Sequence, residues 1–249
     1  MENLMIAAAS GMKARMESLS MLANNVANSG TAGFKSDREF YNLYISPDAA
    51  AAAADGFHPD ASTLPVIERQ WTDFSQGTLL PTGNPLDLAL TGPGFFVLKS
   101  PSGPLYTRNG NFRLGKTGRL ETQKGYPVED DQKQPIQLDP AQSVEITPDG
   151  IVRQQGQEVA RLAIVDFTGS TGLAKRDGTY FQMDSKDQKA TPAANTQIKQ
   201  GNLENSNVPA AEAAVRLVGV LRQFEMLQRA VTLGTQMDRS IQDIAKVSS

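Results

Sequence analysis

The 249-residue chain contains no cysteine and only one histidine, His58. The first absence excludes disulfide bonds and thiolate metal sites, and the second excludes catalytic dyads and metal clusters that need two histidines. No apolar run approaches the roughly 18 residues that cross a membrane, and Met1–Asn3 lacks the basic start of a cleaved signal peptide. We therefore expect no enzymatic activity, no cofactor, no metal and no direct membrane insertion.

Basic charge is not in excess either. The sequence has 24 basic and 27 acidic residues, a net charge of −3, whereas a general nucleic-acid-binding protein is basic overall or carries a basic stripe. Nucleic acid is therefore not an expected partner. The acidic excess lies in residues 31–77, which hold three basic and seven acidic side chains. With the alanine run Ala49–Ala54, this composition predicts an extended acidic connector over residues 36–76.

Periodic apolar residues predict one helix near each end of the chain. Residues 4–27 repeat apolar side chains at spacings of three and four, and Asn28-Ser29-Gly30 predicts the helix end, with Gly30 in the left-handed conformation. Residues 208–246 predict a longer helix, for which Asn207 is the expected N-cap. Neither helix has a partner close in sequence, so each must bury its apolar face against a distant segment or another molecule.

Between the helices, short β-prone runs alternate with turn residues. The apolar runs Phe95–Leu98 and Leu162–Phe167 predict buried strands. Asn109-Gly110 predicts a tight hairpin turn with two positive φ angles, and Asp149-Gly150 predicts a second hairpin. The expected fold is α+β: a discontinuous N- and C-terminal helical domain with an inserted all-β domain, sandwich- or barrel-like.

Two motifs could carry chemistry, but simpler interpretations are favoured. Gly92-Pro93-Gly94 lacks the third glycine of the dinucleotide fingerprint and precedes a strand, so it predicts a turn entering that strand. Asp130-Asp131 is an adjacent pair whose side chains point apart, which predicts a polar turn instead of an acid–base pair.

Small and polar residues in the first helix leave two alternatives open. A glycine within a helix costs about 1 kcal/mol relative to alanine. Gly11 therefore marks either a close approach between helices of different subunits or a neutral surface position. Asn24, Asn25 and Asn28 are poor helix-interior residues, so they indicate either a fraying helix end or hydrogen bonds across a subunit contact.

Three ordered sets of motifs resemble those of the flagellar basal-body rod and hook proteins. The N-terminal set is Ser10–Met12, Leu22–Asn28 and Thr31–Lys35; the middle set is Thr82–Leu90, Gly94–Val97 and Tyr106–Phe112; the C-terminal set is Gly201–Val208 followed by a helix containing Arg222–Glu225. The resemblance covers nearly the whole chain in order. By length and the Arg222–Glu225 segment, the chain is most similar to proximal rod subunits, with distal rod subunits as the nearest alternative.

The resemblance implies a structural subunit that polymerises helically into the axial rod, which transmits torque from motor to hook. It implies export by the flagellar type III apparatus without a cleaved signal, and a location in the basal-body rod within the periplasmic space. The implied partners are copies of itself, other rod and hook subunits and the export apparatus. From the residues alone, a secreted β-rich binding module and a hydrolase with an unrecognised carboxylate site stay open as alternatives.

These considerations divide the chain into three parts. Residues 1–35 and 205–249 are expected to form one coiled-coil-like assembly domain, 36–76 the connector and 77–204 the β-rich domain. The predicted subunit-assembly residues are Met5, Ala8, Gly11, Met12, Leu19, Leu22, Asn24, Asn25, Val26, Asn28, Phe34, Leu217, Leu221, Phe224, Leu227 and Val231. Within this set, Leu19, Leu22 and Val26 are expected to face Leu221, Phe224 and Leu227, in the same or a neighbouring subunit.

Overall fold

The computed structural model describes residues 2–44, 64–167, 172–184 and 189–247, with the backbone alone for 2–8, 40–44, 64–70 and 238–247. In these residues the chain is α+β, as expected. The helices are α1 (Glu2–Ala27) and α2 (Ala210–Val247). The strands are β1 (Asp37–Tyr44), β2 (Leu64–Thr72), β3 (Leu79–Pro81), β4 (Leu88–Thr91), β5 (Phe95–Leu98), β6 (Leu105–Thr107), β7 (Phe112–Leu114), β8 (Leu120–Thr122), β9 (Val144–Ile146), β10 (Ile151–Gln154), β11 (Gln157–Arg161), β12 (Ile164–Phe167), β13 (Leu173–Asp177), β14 (Tyr180–Met183), β15 (Ala190–Pro192), β16 (Gln197–Gln200) and β17 (Asn202–Glu204).

The chain divides into two compact units. The helical unit combines Met1–Val26, Asp37–Trp71 and Ala210–Ser249, and the β unit combines Ala27–Ser36 with Thr72–Pro209. Each unit is therefore assembled from segments that are far apart in sequence. The β unit receives both the segment that follows α1 and the segment that precedes α2.

In the helical unit, the two helices and a two-stranded sheet of β1 and β2 come together. The hydroxyl of Ser18 donates to the Ala14 carbonyl at 3.1 Å and to Glu39 Oε2 at 2.8 Å, which links α1 to β1. The Arg38 guanidinium lies 5.8 Å from the centre of the Trp71 ring. The predicted connector thus includes paired strands at its two ends, because its β-branched and aromatic residues concentrate there.

The β unit is built from antiparallel strand pairs. Its largest sheet has the order β13-β14-β6-β5-β12-β15, and a three-stranded sheet has the order β11-β10-β9. Strands β16 and β4, β17 and β3, and β7 and β8 form two-stranded sheets. The runs predicted as buried strands are β5, which is buried throughout, and β12.

Two clusters of buried residues make the core of the β unit. The larger lies between Leu88 and Ile198 in sequence and includes Phe96, Phe112 and Val152. The smaller is aromatic: Phe95 packs edge-on against Phe167 and Phe181, with ring centres 5.7 and 5.9 Å away. No buried residue of either cluster comes from the segments that adjoin the two helices. These two clusters are therefore independent of those segments.

The helix ends differ in detail from the expectation. Helix α1 ends at Ala27, but Gly30 does not have a positive φ; the left-handed residue is Gly33, with φ 67°. Helix α2 begins at Ala210, and Asn207 is not its cap because its side-chain oxygen accepts a hydrogen bond from Ser36 N at 2.8 Å. Asn207 instead links the segment that follows α1 to the segment that precedes α2, within the β unit.

The two predicted turns have different outcomes. The hairpin at Asp149-Gly150 is confirmed, since β9 pairs with β10 and Gly150 has φ 86°. The hairpin at Asn109-Gly110 is wrong: β6 pairs with β5 and β14, whereas β7 pairs with β8. Gly110 has no positive φ. It is needed for a different reason, because a Cβ placed there would lie 1.7 Å from the Leu88 carbonyl oxygen.

Gly92-Pro93-Gly94 and Asp130-Asp131 lie in turns, as predicted. Gly92 and Gly94 have φ 102° and 135° and lead into β5. The Asp130 carboxylate accepts hydrogen bonds from the backbone N–H groups of Gln132 and Gln134 at 2.9 and 2.7 Å.

The close approach at Gly110 gives a first prediction. Gly110→Ala should lower the free energy of unfolding by at least about 2 kcal/mol, because the backbone at Leu88 must move to admit the methyl group. Urea unfolding measures the change. Gly30→Ala is the matched control, since its φ is not positive and nothing lies within 4 Å of the added carbon. Equal effects of the two substitutions would contradict the account of Gly110.

Candidate functional site

The three sets of sequence motifs meet at one buried cluster of charges in the β unit. Lys35 comes from the N-terminal set, Arg108 from the middle set and Glu204 from the C-terminal set. Lys35 Nζ lies 2.6 Å from Glu204 Oε1, and Arg108 Nη1 lies 3.3 Å from Glu204 Oε2. The Lys35 and Glu204 side chains are fully buried and that of Arg108 is 4% exposed. We call these three residues the buried triad.

Backbone groups complete the hydrogen bonding of the buried triad. Lys35 Nζ donates to the Ser75 carbonyl at 2.6 Å, and Gly77 N donates to Glu204 Oε1 at 2.9 Å. Arg108 Nη2 donates to the Gly92 carbonyl at 2.8 Å. Because buried charges are stable only when paired and hydrogen-bonded, each of these segments has to be in place for the triad to form.

In the buried triad, the two cations Lys35 and Arg108 both form ion pairs with the Glu204 carboxylate. Burial is the largest cause that lowers the pKa of Lys35; the charge of Arg108 lowers it further, and the contact with Glu204 opposes the shift. Burial likewise lowers the pKa of the Arg108 guanidinium, which Glu204 opposes. The Phe95 ring lies 5.4 Å from the Arg108 guanidinium carbon, while Arg108 Nε has no hydrogen-bond partner. Glu204 is therefore the one carboxylate that forms an ion pair with either cation among the described residues.

Backbone contacts hold the same segments together. Gly33 N donates to the Glu204 carbonyl at 2.7 Å, and a Cβ on Gly33 would lie 2.3 Å from Asn109 N. Gly77 is equally confined, because an added Cβ would lie 2.0 Å from the Asn205 carbonyl oxygen. Gly33 and Gly77 thus allow their segments to approach those of Asn109 and Asn205 more closely than any side chain would permit.

Around the buried triad, side chains that are far apart in sequence contact one another. The Asn207 side chain donates to the Asp73 carbonyl at 2.7 Å, in addition to its bond from Ser36 N. The Lys175 ammonium donates to the Lys35 carbonyl at 2.8 Å and lies 4.3 Å from the centre of the Phe34 ring. Together with the buried triad, these contacts link the segment after α1, residues 73–75 and the segment before α2.

The structure places the predicted assembly residues in three groups. The first is engaged inside the chain. Asn25 exchanges hydrogen bonds with the backbone of Asp37, at 2.8 Å to the carbonyl and 3.0 Å from the N–H. Asn28 accepts from Thr31 at the end of α1, and Phe34 is fully buried. Within the chain, Asn25 therefore joins the last turn of α1 to β1, and Phe34 lies in the interior.

The second group consists of residues of α1 and α2 that are buried or half-buried within the chain. A Cβ on Gly11 would lie 3.7 Å from Leu227 Cδ1, which is ordinary van der Waals contact. Within the chain, Leu227 therefore lies beside Gly11 near the start of α1. The other buried or half-buried members of this group are Met12, Leu19, Leu22, Val26, Leu217, Phe224 and Val231.

The third group is exposed or lies outside the described side chains. Leu221 is 44% exposed, so it does not share the half-buried face of Phe224. Asn24 is exposed. The side chains of Met5 and Ala8 lie outside the described residues, although both positions are on α1. Phe74, which is not in the predicted set, packs against Phe95 of its own chain, with ring centres 5.4 Å apart.

Sequence reasoning did not select Lys35, Arg108, Glu204 or Asn207 as site residues, although all four lie within the quoted motifs. One signal could have found them. Each of the three charged residues follows a residue that the structure buries or half-buries, namely Phe34, Thr107 and Leu203. A charge kept beside such residues in every motif set indicates a buried partner elsewhere in the chain.

Comparison with known proteins agrees with this geometry. Residues 5–35 match the family described as flagella basal body rod protein, residues 89–154 the flagellar hook protein FlgE/F/G D1 domain, and residues 199–244 the flagellar basal body rod FlgEFG protein C-terminal region. The flagellar basal-body rod protein FlgF of Caulobacter vibrioides is 31% identical over the whole of both chains. The chain belongs to the flagellar basal-body rod and hook protein family.

Other members of the rod family are similar at the same level. FlgF of Rhizobium meliloti is 30% identical over 90% of each chain. FlgG of Bacillus subtilis, also named a flagellar basal-body rod protein, is 31% identical over 92% of this chain and 93% of that protein. The expectation of a structural subunit of the basal-body rod is confirmed by these relatives, and the proximal rod type is favoured.

Each of the three family matches supplies one member of the buried triad. Lys35 is the last residue of the first match, Arg108 lies in the second and Glu204 in the third.

Among the described residues, no helix is both long and apolar enough to cross a membrane.

Proposed function

We propose that this chain polymerises helically, with copies of itself and with other rod and hook subunits, into the proximal part of the flagellar rod, which transmits torque from motor to hook. The proposal includes delivery by the flagellar export apparatus and a periplasmic position. The observation that carries it is the similarity to FlgF of Caulobacter vibrioides over the full length of both chains.

The surface of α2 supports the proposal. Among the described side chains of α2, residues 210–237, six large apolar ones are exposed in the single chain, and we call them the exposed row: Val215, Val218, Leu221, Met226, Leu233 and Met237. Their exposed fractions range from 44% at Leu221 to 73% at Val215. Exposed apolar side chains at this density on one helix are typical of a surface that another protein covers. A contact between unlike faces that does not close produces a helical filament, which is the symmetry of a rod.

The proposed domain organisation follows from the same features. Residues 1–35 and 205–249 form the assembly domain, 36–76 the connector and 77–204 an inserted sandwich- or barrel-like β domain. Within the assembly domain, the half-buried face of α2 that includes Phe224 and Leu227 serves the subunit itself. The exposed row serves contacts between subunits.

Position within the rod is the second question, because FlgG of Bacillus subtilis is as similar in identity as the FlgF relatives. Deleting the gene in its own bacterium and imaging the basal bodies separates the alternatives. A proximal subunit predicts rods that stop within the proximal segment and have no distal segment. Rods with a whole proximal segment that lack only the distal one would assign the chain to the distal segment.

Substitution in the exposed row tests the assembly surface. Met226→Glu places a charge where the single chain is 60% exposed, so the subunit should fold normally, whereas burial of that charge in a contact should prevent polymerisation. Circular dichroism checks the fold, and sedimentation with electron microscopy measures polymer.

Val159→Glu is the matched control, since Val159 is 45% exposed on β11 in the β unit. We expect it to polymerise like the unchanged chain. Normal polymers of Met226→Glu, or equal loss in both variants, would contradict the assignment of the exposed row to subunit contacts.

A further inference from the structure

The buried triad joins segments that the chain produces at very different times. Glu204 is 169 positions beyond Lys35 and 96 beyond Arg108. Both cations therefore precede their shared carboxylate in the chain. Until Glu204 arrives, closing the β unit around Lys35 would bury two positive charges without a counter-charge, which is strongly unfavourable.

The rest of the β unit does not depend on this step. The larger core cluster lies wholly between Leu88 and Ile198, and the aromatic cluster is built around Phe95 and Phe181. The segment 33–36 is held by the triad, by partners near the C-terminal end of the unit, and by contacts with Lys175 and residues 73–75. Gly33 N donates to the Glu204 carbonyl, and Ser36 N donates to the Asn207 side chain.

The N-terminal segment can separate from the rest of the β unit, whereas the segment that carries Arg108 cannot. Residues 27–36 belong to the β unit by contact but are separated in sequence from its remainder, Thr72–Pro209. Arg108, by contrast, directly follows β6, which lies within the six-stranded sheet. When the carboxylate is missing, the Lys35 ammonium is therefore the charge that can return to water.

We propose that Glu204 is the latch of the β unit: its carboxylate closes the N-terminal segment 33–36 onto an already folded β core, and removal of the carboxylate releases that segment while the core stays folded. Because Glu204 lies near the end of the unit, the latch closes last. The segments next to α1 and α2 are then fixed to each other in a single step, after the core between them has formed.

Lys35 itself supplies a direct readout of the latch. Its side chain is fully buried, and Ser36, which follows it, is 7% exposed, so a protease that cleaves after lysine should not cut this bond in the closed state. In the full-length Glu204→Gln variant, the fragment that begins at Ser36 should appear at least about tenfold faster, since local opening controls proteolysis of a folded chain. Mass spectrometry identifies the fragment.

Hydrogen exchange on the same variant separates latch opening from unfolding. We expect the backbone amides of β5 and β6 to keep their protection. Glu121→Gln is the matched control, because Glu121 forms an ion pair with Arg113, whose side chain is 51% exposed, and its loss should leave cleavage after Lys35 unchanged. Glu204→Asp keeps the charge on a shorter side chain and should be cleaved at an intermediate rate.

Three outcomes would overturn the proposal. One is an unchanged cleavage rate after Lys35 in Glu204→Gln. Another is loss of protection in β5 and β6 together with release of the segment. The third is equal acceleration by Glu121→Gln. If Glu204→Gln yields no folded protein, the same pair of measurements on Glu204→Asp decides: release with β5 and β6 protected supports the latch, and any other result contradicts it.

Discussion

The arrangement of three distant segments of the β unit depends on one buried carboxylate held between two cations. A buried ion pair is weak evidence of added stability, because desolvation offsets much of the attraction, but removing one partner from such a pair is strongly destabilising. Glu204 therefore constrains the fold more than it stabilises it. Lys35 and Arg108 can be buried only where this carboxylate is present, which fixes three distant segments in one arrangement.

That constraint explains why the motifs combine charges with small residues. The side chains of the triad can meet only if the backbones that carry them approach closely. Gly33 against Asn109 and Gly77 against Asn205 leave no space for a Cβ. Asn207 then uses its amide to bridge backbone groups of the segment after α1 and of residues 73–75. This junction holds the two helix-flanking segments together within a single chain.

How far sequence reasoning succeeded depended on whether the decisive interaction was local. The helices were predictable because their apolar period is contained in the segment itself, and the hairpin at Asp149-Gly150 because its turn residues set its geometry. Asn109-Gly110 carries the same local signal, yet its glycine serves contact with Leu88, 22 positions earlier, as the confined Cβ position shows. The triad gave no periodic signal at all, since its members are isolated charges. The family resemblance supplied the motifs but not the reason for them.

The most direct test of this account is a double-mutant cycle on Lys35 and Glu204, with Lys35→Met, Glu204→Gln and the combined variant unfolded in urea. If the two side chains form one buried unit, Glu204→Gln should cost less in the Lys35→Met chain than alone, although it still leaves Arg108 without its carboxylate. The account predicts a coupling free energy of about 2–3 kcal/mol between the two positions. Additive effects, within about 0.5 kcal/mol, would show that the two charges do not depend on each other and would contradict the central role given to Glu204.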